Sequence, residues 1–368
     1  MAAFTGQLRS NEIFSALYNM IISQEVFADN LGKHQTLVDK ARVDGGLYGD
    51  TKLFYSTDVL KSVPWGNDAE AANLLALHRP DAPECQAIHL DIFRQICLTV
   101  DNYLSKRAWA TEGAFSSFNG VMLGWMRETK RVYDGALYNV FIGTTKATGA
   151  GQTISVNLDS ASSGDPLYGL TGVEKEQMEA MLIAQKLADL MVSMGDYSRD
   201  FNDYGFLRSY GEDSIKVIWN SKFVNKIRKI DLPTIFHKDG LVDKFEEEVL
   251  PERYFGDVNA SAVQASGNSG QYRSVLEKDY TVGGTTTHVF PGDKIPTGAA
   301  IAAGEGYTAP AKDVICKVLV KLPPYMSAFE VGTSFFNPKS LTENHYLTFG
   351  HNTIEYLKNY PFITVQVK

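Results

Sequence analysis

Between residues 86 and 100 the apolar side chains fall on even positions. Ile88, Leu90, Ile92, Ile96, Leu98 and Val100 are even, whereas His89, Asp91, Gln95 and Thr99 are odd. A period of two sends the two sets to opposite faces of an extended chain, which predicts a β-strand with one covered and one wet face. Arg94 interrupts the apolar face beside Phe93, which marks a bulge or a bend. Cys85 and Cys97 flank or sit in this strand. Twelve residues of straight strand span about 40 Å, beyond disulfide reach. With Cys316 the cysteine count is odd, so no disulfide framework is expected and a reducing compartment is the natural reading.

The next strong pattern, over 111–142, has the helical period. Phe115, Phe118, Met122, Trp125, Thr129, Val132, Ala136 and Val140 recur at gaps of three and four, Thr111 is placed to cap, and Glu112 meets the positive end of the dipole. Gly120, Gly124 and Gly135 weaken the helix without breaking the period. Some 30 residues make a rod of roughly 45 Å. A compact globule of this length has a radius of gyration of about 21 Å. A flattened or elongated subunit, with the helix lying along it, is the expectation.

Upstream, 10–31 reads as a helix capped by Ser10, with Ile13, Phe14, Leu17, Tyr18 and Ile21 on one face and Gly32 as its stop. Residues 42–83 have no sustained period and contain Gly45-Gly46, Gly49, Pro64-Trp65-Gly66, Pro80 and Pro83. Lys52–Ser56 reads as a strand and Ala71–Leu77 as a helical turn or two. So long a stretch with so little core-forming pattern is either disordered or an arm that packs outside its own domain. Tyr48, Phe54, Tyr55 and Trp65 favour the arm, because disordered segments are poor in aromatics.

Downstream, 153–158 reads as a strand followed by a Ser/Gly-rich stretch, 160–164. A helix is expected over 172–194, with a Thr171/Glu174 capping box, Gly195 as its end and a buried face of Met178, Met181, Leu182, Leu190 and Met191. Ser214–Trp219 reads as a strand and Lys222–Lys229 as a short helix. The Gly/Ala/Ser/Thr-rich 256–310, with turn signals at Gly267, Gly270, Gly283-Gly284, Pro291-Gly292 and Pro296, reads as small hairpins. Val314–Lys321 is a nearly continuous apolar run suited to a buried strand, and Phe362–Val367 is another strand.

The 368 residues, 44% hydrophobic and 21% charged, are ordinary globular composition and long enough for two or more domains. Net charge is −8 and no long basic stripe exists, so gripping DNA is not the expected main role, although a wall around DNA is compatible with an acidic chain. The first residues lack the basic region of a secretory signal, and no apolar run is long enough to predict a membrane span.

Searching for chemistry assigns no catalytic, cofactor-binding or metal-ligating residue. HExxH, Walker A, GxGxxG, nucleophile-elbow and EF-hand patterns are missing. Cys85, His89 and Cys97 share a strand face by parity, but their spacings of about 13 and 26 Å exceed what one zinc ion tolerates. His345 and His351 are placed to approach across a turn, as ordinary polar histidines. Asp243, Glu246, Glu247, Glu248 and Glu252 read as a solvated helix face or as a paired-carboxylate site. A third reading pairs them with the basic run Lys216, Lys222, Lys226, Arg228 and Lys229, as complementary patches between neighbouring copies.

The order of these segments resembles the major capsid proteins of tailed double-stranded DNA phages, whose fold is named after phage Hong Kong 97. Leu104-Ser105-Lys106-Arg107 leads into the long helix, and Asp134-Gly135-Ala136-Leu137 and Phe141-Ile142-Gly143-Thr144 are similar to the end of that family's spine helix. The resemblance implies an α+β fold. Its parts would be an N-terminal arm (1–41), an extended β-loop (42–83), a peripheral domain (84–165) with spine helix 111–142, an axial domain with a central mixed sheet (166–320, with 256–310 as its tip or an insertion) and a return to the periphery (321–368). It implies a structural protein, not an enzyme and without cofactors, that forms hexamers and pentamers of itself in an icosahedral head shell. That shell would enclose double-stranded DNA without sequence-specific binding or a membrane, with separate scaffolding and portal proteins. The protein would reside in the virion and assemble in the bacterial host cytoplasm. Candidate contacts between subunits are Phe54, Tyr55, Trp65, Lys226, Arg228, Glu246 and Glu247. Lys52 and Lys61 lie in the loop, but nothing marks either for the covalent cross-linking of some relatives. Alternatives are an encapsulin-like nanocompartment shell, an α+β hydrolase using acidic residues 243–252, and a tail or portal component.

Overall fold

A computed structural model of the chain describes residues 37–45, 50–62, 77, 79–101, 112–144, 152–228, 246–309 and 314–368. The order begins α1 (Leu37–Ala41), β1 (Arg42–Asp44), β2 (Thr51–Ser56), β3 (Glu84–Asp101), α2 (Glu112–Gly143), β4 (Thr153–Val156), α3 (Gly172–Gly195), β5 (Lys216–Asn220), α4 (Ser221–Arg228) and β6 (Glu246–Leu250). It continues through β7 (Asp257–Asn259), β8 (Arg273–Ser274), β9 (Lys278–Val282), β10 (Thr285–Val289), β11 (Tyr307–Ala309), β12 (Val314–Leu319), β13 (Tyr325–Asn337), β14 (Thr342–Asn352) and β15 (Phe362–Val367). The helix expected over 10–31 and the turns expected at 71–76 lie outside the described residues. The chain divides into two compact units. The first holds Leu90–Gly135, Met326–Thr353 and the described residues up to Asp50, and the second Thr51–His89, Ala136–Tyr325 and Ile354–Lys368.

In the first unit β3 shows the alternation its sequence dictates, with even positions covered and odd ones exposed. It pairs antiparallel with β14, which pairs antiparallel with β13, beside which β1 lies. The expected irregularity is present but shifted from Phe93–Arg94. His351 faces Ile92 and Asn352 faces Leu90, which leaves Asp91 as the extra residue. Its carboxylate accepts from the Thr353 N–H at 2.7 Å and hydroxyl at 2.6 Å. Opposite Phe93, Gly350 leaves room for the ring: a Cβ there would sit 2.8 Å from it, so the Phe93 side chain would have to shift. Arg94 stays on the covered face, where its guanidinium lies 4.9 Å from the centre of the Tyr133 ring and donates to the Tyr133 hydroxyl.

Helix α2 nearly matches the predicted limits, and its covered face keeps Met122 and Val140 of the predicted stripe but not Trp125 and Val132. Trp125 is 55% exposed and Val132 is also exposed, while Met122, Met126, Lys130, Tyr133 and Asp134 are buried. The true stripe runs through a Lys130–Asp134 ion pair (3.0 Å) that a hydropathy pattern reads as surface.

In the second unit the sheet order is β4-β15-β12-β5-β6. The central β12 is antiparallel to both neighbours, and the outer pairs β15–β4 and β5–β6 are parallel. Every residue of β12 is buried, as its apolar run requires. Helix α3 covers the sheet with Ala180, Ile183, Leu187, Leu190, Met191 and Met194. Met178, Met181 and Leu182, expected inside, are only half-buried, since Ala180, Ile183 and Leu187 take the seam. The expected capping box does not form. Thr171 has the extended backbone of an N-cap but makes no side-chain cap bond, and Gly195 is the last helical residue. The region 256–309 forms the predicted small strands, with the sheets β7-β11-β8 and β9-β10. Gly283 (φ 58°) and Gly284 (φ 83°) make the tight β9–β10 turn with the paired positive φ that favours glycine. Tyr280, Val289, Ile295, Ala299, Ile301 and Tyr307 give this region its own core.

The closing stretch 321–368 is divided, with Met326–Thr353 in the first unit and Ile354–Lys368 in the second, where β15 lies between β4 and β12. The acidic segment, read as a helix face, is strand β6 from Glu246 onward. Among the described residues no helix is long and apolar enough to cross a membrane.

Candidate assembly surface

Strand β2 pairs with the first residues of β3 from Thr51↔His89 to Ser56↔Glu84. This ribbon turns Leu53 and Tyr55 outward, and Tyr55 is 65% exposed. Phe54 points the other way, half-buried, with the Lys321 ammonium 5.9 Å from its ring centre. Val59, Leu60 and Leu77 follow as further exposed apolar side chains. Trp65 lies outside the described residues. At the root of the ribbon, buried Gln86 donates to the Tyr356 carbonyl and accepts from the Lys358 N–H, both at 3.0 Å. Two residues past the end of β2, Asp58 accepts from Arg199 at 2.7 Å and from the backbone N–H groups of Val59 (2.9 Å) and Leu207 (3.0 Å). The Arg199 hydrogen bond, aided by these backbone donors, holds the Asp58 carboxyl down at about 2.

The basic and acidic runs meet within one chain. Parallel pairing sets Lys216 opposite Glu246, with Nζ 2.5 Å from the carboxylate. Trp219 Nε1 donates to Glu247 at 3.2 Å, and Lys222 lies 3.7 Å from Glu252. The side chains of Lys226 and Arg228 lie outside the described set. The sequence showed the charge complementarity, read as a contact between copies, but not the strand pairing within one chain, because residues 230–242 separate the two runs.

Cys85, His89 and Cys97 do share the exposed face of β3, and His89 Nδ1 meets the Thr51 hydroxyl at 2.8 Å. His345 and His351 do not meet across a turn. Both lie on β14, six residues and roughly 20 Å apart. His351 is buried, with Nε2 3.0 Å from the Tyr133 hydroxyl and Nδ1 2.9 Å from the Asn352 carbonyl. Burial pushes its pKa below the usual histidine range. His345 instead lines an open cavity of about 440 Å³ with Arg127, Thr333, Ser334 and Tyr346. His288 is held between Asp279 on Nδ1 (2.5 Å) and Glu277 on Nε2 (2.8 Å), and the Asp279 hydrogen bond foremost raises its pKa. The β13–β14 hairpin carries a second exposed apolar group, Phe335, Phe336 and Leu341, the last with φ of 55°. Sequence reading missed Asp58, the Lys130–Asp134 pair and this hairpin end. For Asp58, only its place directly after a strand was visible.

No family model matches the sequence, and no curated protein sequence matches it. Among solved structures, a chain of the capsid structure of Staphylococcus phage Andhra aligns with a TM-score of 0.58 at 10% identity, over 94% of this chain and 87% of that one. A chain from the structure of the head fiber and inner core protein of native bacteriophage P68 aligns with a TM-score of 0.54 at 12% identity, over 100% of this chain and 95% of that one. At such identities the shared property is the fold. It is shared nearly end to end, and it is an α+β capsid fold.

Proposed function

We propose that the chain is the major capsid protein of a tailed double-stranded DNA phage, acting by assembly with many copies of itself and not by catalysis. The observation that carries this reading is the end-to-end likeness to a chain of the Andhra capsid structure. The surface supports it. Leu53, Tyr55, Val59, Leu60, Phe335 and Phe336 leave apolar area exposed in the single chain. At about 25 cal/mol per Å2, a few hundred Å2 per contact is weak alone and large over a shell. A net charge of −8 suits a wall that does not adhere to the DNA it encloses. Hexamers and pentamers, separate scaffolding and portal proteins, residence in the virion and assembly in the host cytoplasm belong to this proposal.

The test is negative-stain microscopy of the purified full-length protein, with and without a scaffold partner. Shells, pentamers or hexamers are expected, and packaged nucleic acid would separate a phage head from a cargo-filled nanocompartment. A chain that stays monomeric at every concentration and hydrolyses a substrate through Glu246–Glu248 would overturn the proposal.

A further inference from the structure

One carboxylate holds the extended ribbon at the point where β2 ends. Asp58, two positions past the end of β2, receives hydrogen bonds from the adjacent Val59 N–H and from Arg199 and Leu207 elsewhere in the second unit. Beside it, Arg208 donates to the Thr57 carbonyl. The receiving loop is braced. Arg199 also donates to the Gly205 carbonyl at 2.7 Å. The Asn202 amide exchanges bonds with Phe206 N–H and carbonyl (2.8 and 2.7 Å). Ser198 and Arg208 pair through both backbone bonds at 3.0 Å, and the Asp203 N–H donates to the Lys358 carbonyl at 2.8 Å. Beyond Asp58, Lys61 lies 3.1 Å from Asp81, an exposed ion pair.

We propose that Asp58 is an internal latch, closed on Arg199 and the Leu207 N–H, that fixes the direction in which the segment beginning at Val59 leaves its own chain. This rests on the shell reading above, because what the latch orients is the exposed apolar pair Val59 and Leu60, presented to a second copy beside Leu53 and Tyr55 of the paired ribbon. The physical gain is pre-ordering. A segment ordered only on contact charges its lost freedom to each contact, whereas a latched one has met that cost during folding. Charge-assisted bonds suit the task, since they are strong and directional without a hydrophobic core. The low pKa keeps the carboxylate ionised, so the latch stays closed at any pH above the acid range. Helix α3 and strand β12 are held by apolar contacts of their own, in a core that also takes in Phe201 of the receiving loop.

The test uses full-length Asp58→Asn and Arg199→Gln variants and the double variant. Hydrogen exchange of the unassembled subunits should show residues 57–60 and 205–208 exchanging about tenfold faster, the loss of a charged hydrogen bond. Exchange in α3 and β12 should be unchanged. The double variant should be no worse than either single one, and the concentration threshold for assembly should rise several-fold in all three. Unchanged exchange at 57–60 while the wild type assembles overturns the latch and leaves the shell reading standing. Faster exchange at 57–60 in the variants, with a wild type that never assembles, keeps the latch and removes the shell reading. Should Asp58→Asn fail to fold, Arg199→Gln decides alone: loss of protection throughout the unit would make the contact a general structural one and overturn the proposal.

Discussion

Helices α2 and α3 both cover a sheet, yet they do so with different chemistry. Helix α3 meets its sheet through Ile183, Leu187, Leu190 and Met194 among Val217, Ile315, Val318 and Val365. In the first unit α2 presents Lys130, Tyr133 and Asp134. Lys130 and Arg42 both approach the fully buried Asp134 carboxylate, at 3.0 and 3.4 Å. Tyr133 joins Arg94 to His351, and Lys130 reaches the Ser327 hydroxyl at 3.5 Å and lies 5.4 Å from the Phe349 ring centre. Apolar contact stabilises without demanding one geometry. A buried polar network adds little net stability but tolerates few arrangements. We infer that the second unit's sheet supplies stability, while the first unit's network fixes how its helix sits on its strands.

The largest effect that tests this contrast is Asp134→Ala, which strands Lys130 in a buried site. It should cost about 3–5 kcal/mol by chemical denaturation. Replacing the pair together, Lys130→Met with Asp134→Leu, should recover most of that while leaving the helix less uniquely docked, read as broadened side-chain NMR signals in the first unit. In the second unit Ile183→Ala removes only packing and should cost about 2–5 kcal/mol. No paired substitution of charged residues should reproduce that loss.

A smaller effect separates two histidines by sign. His351 is lowered by burial, so its contribution is fully present above the ordinary value of 6.5 and is lost as pH falls through its folded pKa. The groups around it include Arg94, Asp91, Asp134 and the Tyr133 hydroxyl. His288 is raised by Asp279 and Glu277, so its contribution is fully present below 6.5 and is lost as pH rises through its folded pKa. Hydrogen exchange across pH 5–8 should loosen β14 on the acid side and the β9–β10 hairpin on the basic side. His351→Gln and His288→Gln should each abolish only their own trend. The smallest effect belongs to Trp125→Ala. It should change stability by about 0.5 kcal/mol or less, and a loss above about 2 kcal/mol would restore the predicted helix face.

What was legible in the sequence follows from what each pattern encodes. Strand β3 was readable because one face is covered and one is wet, and its period survives even the half-buried Arg94. Strand β12 was readable as a run covered on both sides. The register of α2 was not, because Lys130 and Asp134 look like surface until a partner is seen. The pairing of β5 with β6 was not, because a parallel pair joined by a long connection leaves no local signal. The contrast is sharpest at the candidate surface. Tyr55 was visible as an aromatic in a segment without a core, whereas the Asp58 latch depends on Arg199 and Leu207, well over a hundred positions away.

The most direct measurement compares hydrogen exchange in assembled particles with that in free subunits. The account predicts new protection around residues 53–60 and at the β13–β14 hairpin end near Phe335, with β12 and α3 unchanged. Particles in which those positions exchange as fast as in the lone subunit would contradict it, since the exposed apolar side chains would then have found no partner.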